Sequence, residues 1–276
     1  MSLKIENFQF GELPAVKLTT DLGSVSYTPY GAHILSFTPA GQKDLLWLSE
    51  KSCKTPGKAI RGGIPVCWPW FGAAGKPNHG IARISDWQSS EPCIEPDGSV
   101  TVLFDLQSEE YGVNASLKMN AGTSLKLFLT TTNVSGKPLV LSEALHTYFN
   151  IGDIAETFVD GLSGCEYTDT VNHTEGKQDG EIAFSCETDR FFYPGDGLIT
   201  IRDNGNNRKI GVARFGSASA VVWNPWIDKS RRMPDFGDEE YHGMLCVEAA
   251  NVGKDIRTLP DGKKHTIGTE IFILPS

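Results

Sequence analysis

The sequence predicts an all-β protein, and three observations carry that prediction. Short stretches in which apolar and polar residues alternate recur along the chain. Turn residues separate them at the spacing of roughly 8–12 residues that marks sandwiches and barrels. Helical periodicity is scarce: no long stretch places apolar residues at i, i+3, i+4 and i+7. The regular alternation of strands and helices that marks a parallel α/β sheet is also missing.

The elements follow in order. AVKLTT (15–20), SVSYTP (24–29) and HILSFTP (33–39) read as three strands in quick succession. VTVLFDLQ (100–107), VNASLKM (113–119) and SLKLFLTTTN (124–133) repeat the pattern. In the last of these, Leu125, Leu127 and Leu129 share one face, and Lys126, Phe128 and Thr130 share the other. Period two is the signature of a half-buried strand. LITIRDNG (198–205), KIGVARFG (209–216), ASAVVWNP (218–225), MLCVEAANV (244–252) and TEIFILP (269–275) continue the series. Pro96-Asp97-Gly98, Asn204-Gly205 and Pro260-Asp261-Gly262 are turn signals. Residues 236–241 and the region just after Pro14 are weak helix candidates. The mixed-sign cluster from Asp228 to Arg232, followed by Asp235 to Glu240, reads as a solvated loop, with 231–242 a candidate lid. No linker, low-complexity tract or internal repeat divides the chain, so one domain over 1–276 is expected.

Composition narrows the function. Lys and Arg number 25 against 34 Asp and Glu, a formal charge of −9. A general nucleic-acid binder carries a basic face, so that class is disfavoured, while a small anionic substrate is not. No apolar run approaches the roughly 20 residues of a membrane span. The start, MSLKIENFQFGELP, lacks the long apolar region of a secretion signal. The six cysteines include no CxxC pair; free, mostly buried thiols in the cytoplasm are expected. No HxH, HExxH or HxxxH spacing points to a metal, and no GxGxxG or GxxxxGK[ST] to a nucleotide. A GxSxG elbow is absent too. Acid–base chemistry by His and carboxylates, without cofactor or metal, remains.

Three segments gather residues suited to that chemistry. Residues 58–87 hold Arg61, Gly62, Gly63, Trp68, Trp70, Phe71, His79, Arg83 and Trp87. Residues 142–153 hold Glu143, His146, Tyr148 and Phe149, and 223–251 hold Trp223, Trp226 and Glu248. Five of the six tryptophans lie in the first and third segments, which suggests stacking on a sugar ring. Plainer readings stand beside these. The glycines of Arg61-Gly62-Gly63 can serve only to supply positive φ. WPWFG can be a plug on a sandwich end, and His146 a hydrogen-bonded core histidine. Glu248 closes an apolar run, where an unpaired carboxylate is costly, and that raises its functional weight. His33, His173, His242 and His265 read as surface or structural.

The segments RGGIPVCWPWFG (61–72), NHGIARISDW (78–87), LHTYFNIGD (145–153), TDRFFYP (188–194), WNPWIDKS (223–230) and VEAANV (247–252) resemble, in order, those of the aldose 1-epimerase superfamily. They look most like its hexose-6-phosphate mutarotase branch. The resemblance implies a large antiparallel β-supersandwich of the galactose mutarotase type, with few short helices. It implies a cofactor-independent isomerase, a single subunit acting on a small sugar phosphate. In that reading His146 is the general acid and Glu248 the general base. His79 and Asp189 hold the sugar, with Trp223 also in contact, and Arg61 and Arg83 clamp the phosphate. Residue 81 is Ile where Phe is expected in many relatives. Two arginines and up to two charged histidines would then set a basic pocket into an acidic surface. The alternatives are an aldose 1-epimerase for free sugars, a non-catalytic carbohydrate-binding sandwich and, more remotely, a glycosidase using Asp189 and Glu248. A structural salt bridge from Arg83 to Asp86 or Glu91 is the plainer reading of that arginine.

Overall fold

A computed structural model describes residues 2–275. Two large antiparallel sheets dominate it. One has nine strands, in the order Thr157–Asp160, Ile199–Asp203, Arg208–Phe215, Lys264–Ile273, Ser124–Asn133, Val113–Ala121, Val100–Ser108 and Gln88–Ser89, with Cys93–Ile94 also paired to Val100–Ser108. The other has eight, in the order Thr174–Lys177, Glu166–Asp169, Thr188–Phe192, Ser219–Asn224, Met244–Asn251, Glu143–Leu145 and Val66–Cys67, with Tyr148–Asn150 also paired to Met244–Asn251. A four-stranded meander, Lys4–Phe10, Leu13–Thr20, Gly23–Thr28 and His33–Pro39, completes the supersandwich.

Alternation explains the packing. Leu125, Leu127 and Leu129 are wholly buried, and the residues between them are half-buried. Strand Met244–Asn251 is buried along its whole length: it is central in its own sheet and contacts Lys264–Ile273 of the other. One hydrophobic cluster runs from Leu18 to Ile271. A chain of hydrogen bonds carries polar groups into it. Trp68 Nε1 donates to Thr131 Oγ1 at 2.8 Å, and Thr131 Oγ1 donates to Glu143 Oε2 at 3.1 Å. Glu143 is fully buried, and desolvation pushes its carboxyl up to about 8.

Several expectations change. The helix lies at Trp226–Arg232, inside the charged cluster read as loop; residues 236–241 hold only the start of a 3₁₀ turn, Glu240–Gly243. The region after Pro14 is strand. Lys4–Phe10 is a strand that alternation did not disclose, because its residues are almost all exposed. All six cysteines are free, but only Cys67 and Cys246 are buried, and Cys93 and Cys186 are exposed. No helix among the described residues is long and apolar enough to cross a membrane.

Candidate active site

The register of the eight-stranded sheet builds the site. Glu143, Ala144 and Leu145 pair with Asn251, Ala250 and Ala249, and Tyr148 pairs with Cys246. The same register sets His146 opposite Glu248. On the other side of Met244–Asn251, Val221 faces Glu248 and Trp223 faces Cys246. One strand further, Phe191 faces Val221 and Asp189 faces Trp223. Side chains two apart on a strand share a face. Two adjoining rows therefore cross the sheet, Phe191–Val221–Glu248–His146 and Asp189–Trp223–Cys246–Tyr148. Residues scattered over a hundred positions meet on one floor.

A cavity of about 610 Å³ opens over that floor. Arg61, His79, His146, Asp189, Trp223 and Glu248 all line it, as do Phe71, Ser142, Thr170, Lys229 and Met233. At its base His146 Nδ1 and Glu248 Oε1 are 3.2 Å apart. They are misaligned for a hydrogen bond, and neither Nδ1 nor either Glu248 oxygen has a hydrogen-bond partner. His146 is 7% exposed and Glu248 1%. Burial, and then the neighbouring His79, Arg61 and Arg83, hold the His146 imidazole well below its ordinary range. Burial, and then Asp189, push the Glu248 carboxyl well above its own. Both shifts favour the neutral forms, imidazole and protonated carboxyl.

His79 comes from a tight loop. Its N–H donates to Gly72 O at 2.7 Å, and Gly72 N–H donates back to Nδ1 at 3.3 Å. Nδ1 is the acceptor, so the ring proton sits on Nε2. Burial and the arginine charges bring His79 down to about 3. The next residue, Gly80, has φ +76°, and a Cβ there would stand 2.0 Å from Trp68 O. Gly63, at φ +61°, has the same constraint against Ile34 O at 2.2 Å. The glycines therefore serve the backbone, as the plainer reading held, and they do so beside the site.

Arg61 points into the cavity and is held from behind. Its Nη1 donates to Tyr148 Oη at 2.9 Å, and Nε and Nη2 donate to Asp235 Oδ2 and Oδ1, each at 3.2 Å. Burial opposes its charge, but Tyr148 and Asp235 more than offset that and keep it cationic. Lys229, on the helix, bonds Glu187 at 2.8 Å, stands 3.7 Å from Asp189 and lies over the Trp223 ring. Burial raises the Asp189 carboxyl, and Lys229 pulls against that.

Three expectations need revision. Arg83 is not among the lining residues; its Nη2 donates to Asn78 O at 2.7 Å, and it pairs with neither Asp86 nor Glu91. Its charge still reaches His79. The histidines add no positive charge, because burial keeps both neutral. Arg61 and Lys229 are the cations that line the cavity. Of the tryptophans only Trp223 lines it, since Trp68 is a core residue and Trp70 bonds Pro77 O. Lys229, in the cluster that the sequence presents as a solvated loop, reaches the cavity from the short helix Trp226–Arg232.

The profile of the aldose 1-epimerase family matches residues 14–271. A protein of Escherichia coli (strain K12) named "Putative glucose-6-phosphate 1-epimerase" is 36% identical over 252 residues, covering 87% of this chain and 84% of its own. One of the same name from Cenchrus ciliaris is 35% identical over 265 residues, covering 90% and 80%. The crystal structure of "a putative mutarotase" from Salmonella typhimurium superposes with a TM-score of 0.90 at 30% identity, covering 99% of this chain and 94% of that one. The extended match in sequence and the shared supersandwich lead to one conclusion: the chain belongs to the aldose 1-epimerase family.

Proposed function

We propose that the protein interconverts the α and β anomers of a D-hexose 6-phosphate, glucose 6-phosphate first among them. The observation that carries this is the His146–Glu248 pair, 3.2 Å apart on the floor of a cavity whose lining includes Arg61 and Lys229. The relatives' names supply the sugar phosphate as substrate class.

The chemistry needs one acid and one base. Glu248 as carboxylate takes the proton from O1 while His146 as imidazolium gives one to O5. The C1–O5 bond breaks and the C1 carbonyl forms. Rotation about C1–C2 presents the other face, and both transfers reverse. Nothing is oxidised or reduced. Carboxylate with imidazolium holds the same number of protons as the resting carboxyl with neutral imidazole. A substrate that offers O1–H and O5 to the pair selects the reactive arrangement without exchange with solvent. Each group supplies about 10²–10⁴-fold. Asp189 and His79 Nε2–H are a hydroxyl acceptor and donor, and Trp223 gives an apolar face to the ring. Arg61 presents a planar fork to phosphate oxygens, and Lys229 adds a point charge.

A mutarotase for free aldoses is the second reading. The ion pair that already engages Arg61 with Asp235 favours it. Anomer exchange measured by NMR on glucose 6-phosphate and on glucose separates the two. Arg61→Ala that slows both equally excludes the phosphate reading. The six free thiols support a reducing, cytoplasmic setting.

A further inference from the structure

Cys246 has no part in these proton transfers, yet it stands in the floor beside both groups that do. Its Sγ, one His146 ring nitrogen and one Glu248 oxygen all lie within 4.8 Å of one another. Among the described residues no other group of three such donors comes together. All three side chains are more than nine-tenths buried, and His146 Nδ1 and both Glu248 oxygens lack hydrogen-bond partners. Buried lone pairs left unpaired are uncommon and call for an explanation.

The donor set is one nitrogen, one sulfur and one oxygen, the set that suits Zn²⁺. Two donors each about 2.0–2.1 Å from a tetrahedral ion are separated by about 3.3 Å. His146 Nδ1 and Glu248 Oε1 are 3.2 Å apart already. A thiolate sits about 2.3 Å from such an ion, and Cys246 Sγ lies within 4.8 Å of the other two donors. Charge also balances: a thiolate, a carboxylate, a neutral imidazole and a divalent ion sum to zero, so Arg61 and Lys229 nearby do not repel the loaded site. Two of the three ligands, His146 and Glu248, line the cavity, and Cys246 is fully buried beside them.

We propose that His146, Cys246 and Glu248 form an inhibitory site for a thiophilic divalent cation, Zn²⁺ above all, on the floor of the cavity. On binding, the Cys246 thiol and the Glu248 carboxyl each release a proton to solvent as the bonds to sulfur and oxygen form. No electron moves. The ion then occupies the His146 lone pair and the Glu248 carboxylate, and anomer exchange stops until a chelator removes it.

Co²⁺ is the probe, titrated into the full chain with the thiols reduced. A thiolate-to-cobalt absorption band at one equivalent is expected, displaced by Zn²⁺. Zn²⁺ should inhibit exchange reversibly. In Cys246→Ser the band should vanish. The Zn²⁺ concentration that halves its own metal-free rate should rise at least about tenfold. A band that is absent from the parent protein, or that persists in Cys246→Ser on one of the other thiols, overturns the site. So does equal Zn²⁺ sensitivity in the two proteins. If Cys246→Ser does not fold, Glu248→Gln is read by the cobalt spectrum alone, where unchanged affinity counts against the site. The spectrum needs no turnover, so its failure is separate from failure of the mutarotase reading.

Discussion

Asp235 grips Arg61 from the segment that follows the helix, with Oδ2 to Nε and Oδ1 to Nη2 both at 3.2 Å. The same segment is anchored at Glu240, whose Oε2 accepts from Ser49 Oγ at 2.6 Å and whose Oε1 accepts from Glu50 N–H at 2.8 Å. Asp238 pairs with Lys51 at 3.3 Å and His242 with Asp153 at 3.5 Å; the candidate lid is therefore tied to the body at several points, and one of its ties uses a cation of the cavity.

If Arg61 takes the substrate phosphate as proposed, Asp235 competes with it for the same guanidinium fork. Asp235→Asn should lower KM for glucose 6-phosphate by up to about tenfold, equivalent to ~1.4 kcal/mol, with kcat little changed. KM for free glucose should not move. Initial-rate exchange on both sugars checks this, and a raised KM for the phosphate would show that Asp235 serves to aim Arg61.

Lys229 is expected to act on the phosphorylated sugar. Lys229→Met should raise KM for glucose 6-phosphate roughly tenfold, the scale of one charge-assisted contact, and leave glucose exchange nearly as it was. An equal effect on both sugars would place Lys229 with Asp189 in holding the ring.

Glu248→Gln and His146→Asn should each lower kcat by about 10²–10⁴. The two work as one unit, so the double variant should fall little below the worse single one. Saturation-transfer NMR measures exchange over that range. A double variant showing the full product of the two losses would mean that the residues act independently.

Glu143 makes stability depend on pH. Its folded carboxyl is raised to about 8 from 4.5. Between these values the unfolded chain has lost a proton that the folded chain keeps. The folded state is therefore at its best below about pH 4.5 in this respect, loses stability as pH rises to about 8, and is level above that. Thermal melts of Glu143→Gln should lack this component and gain on the parent as pH rises from 5 to 8. Parallel curves for the two proteins would refute the assignment.

Much of the fold was legible because alternation is a local signal. Leu125, Leu127 and Leu129 declare their face without any neighbour. Lys4–Phe10 was hidden because an exposed edge strand has no buried face to alternate with. Trp226–Arg232 was hidden because seven residues span barely two turns, too short for a helical period to stand out. Motif order singled out Arg61, His79, His146, Asp189, Trp223 and Glu248, which line one cavity, but not how they are placed relative to one another. That His146 meets Glu248 depends on the pairing of strands a hundred residues apart. That Arg83 turns to Asn78 O depends on one rotamer. Burial, not residue type, decides that both histidines are neutral, and burial is a property of the whole fold.

The paired rows across the eight-stranded sheet divide the site into a part set by register and a part set by loops. A slip of one residue in Met244–Asn251 would turn Glu248 away from the cavity and bring Val247 or Ala249 in its place. Insertions and deletions inside these strands are therefore barred. The loop that carries His79 and the segment from Lys229 to Asp235 lie outside the ladder, so a change there alters the rim and leaves the register intact. The floor on which His146 and Glu248 meet is thus fixed by backbone pairing, and the rim by side chains and loops.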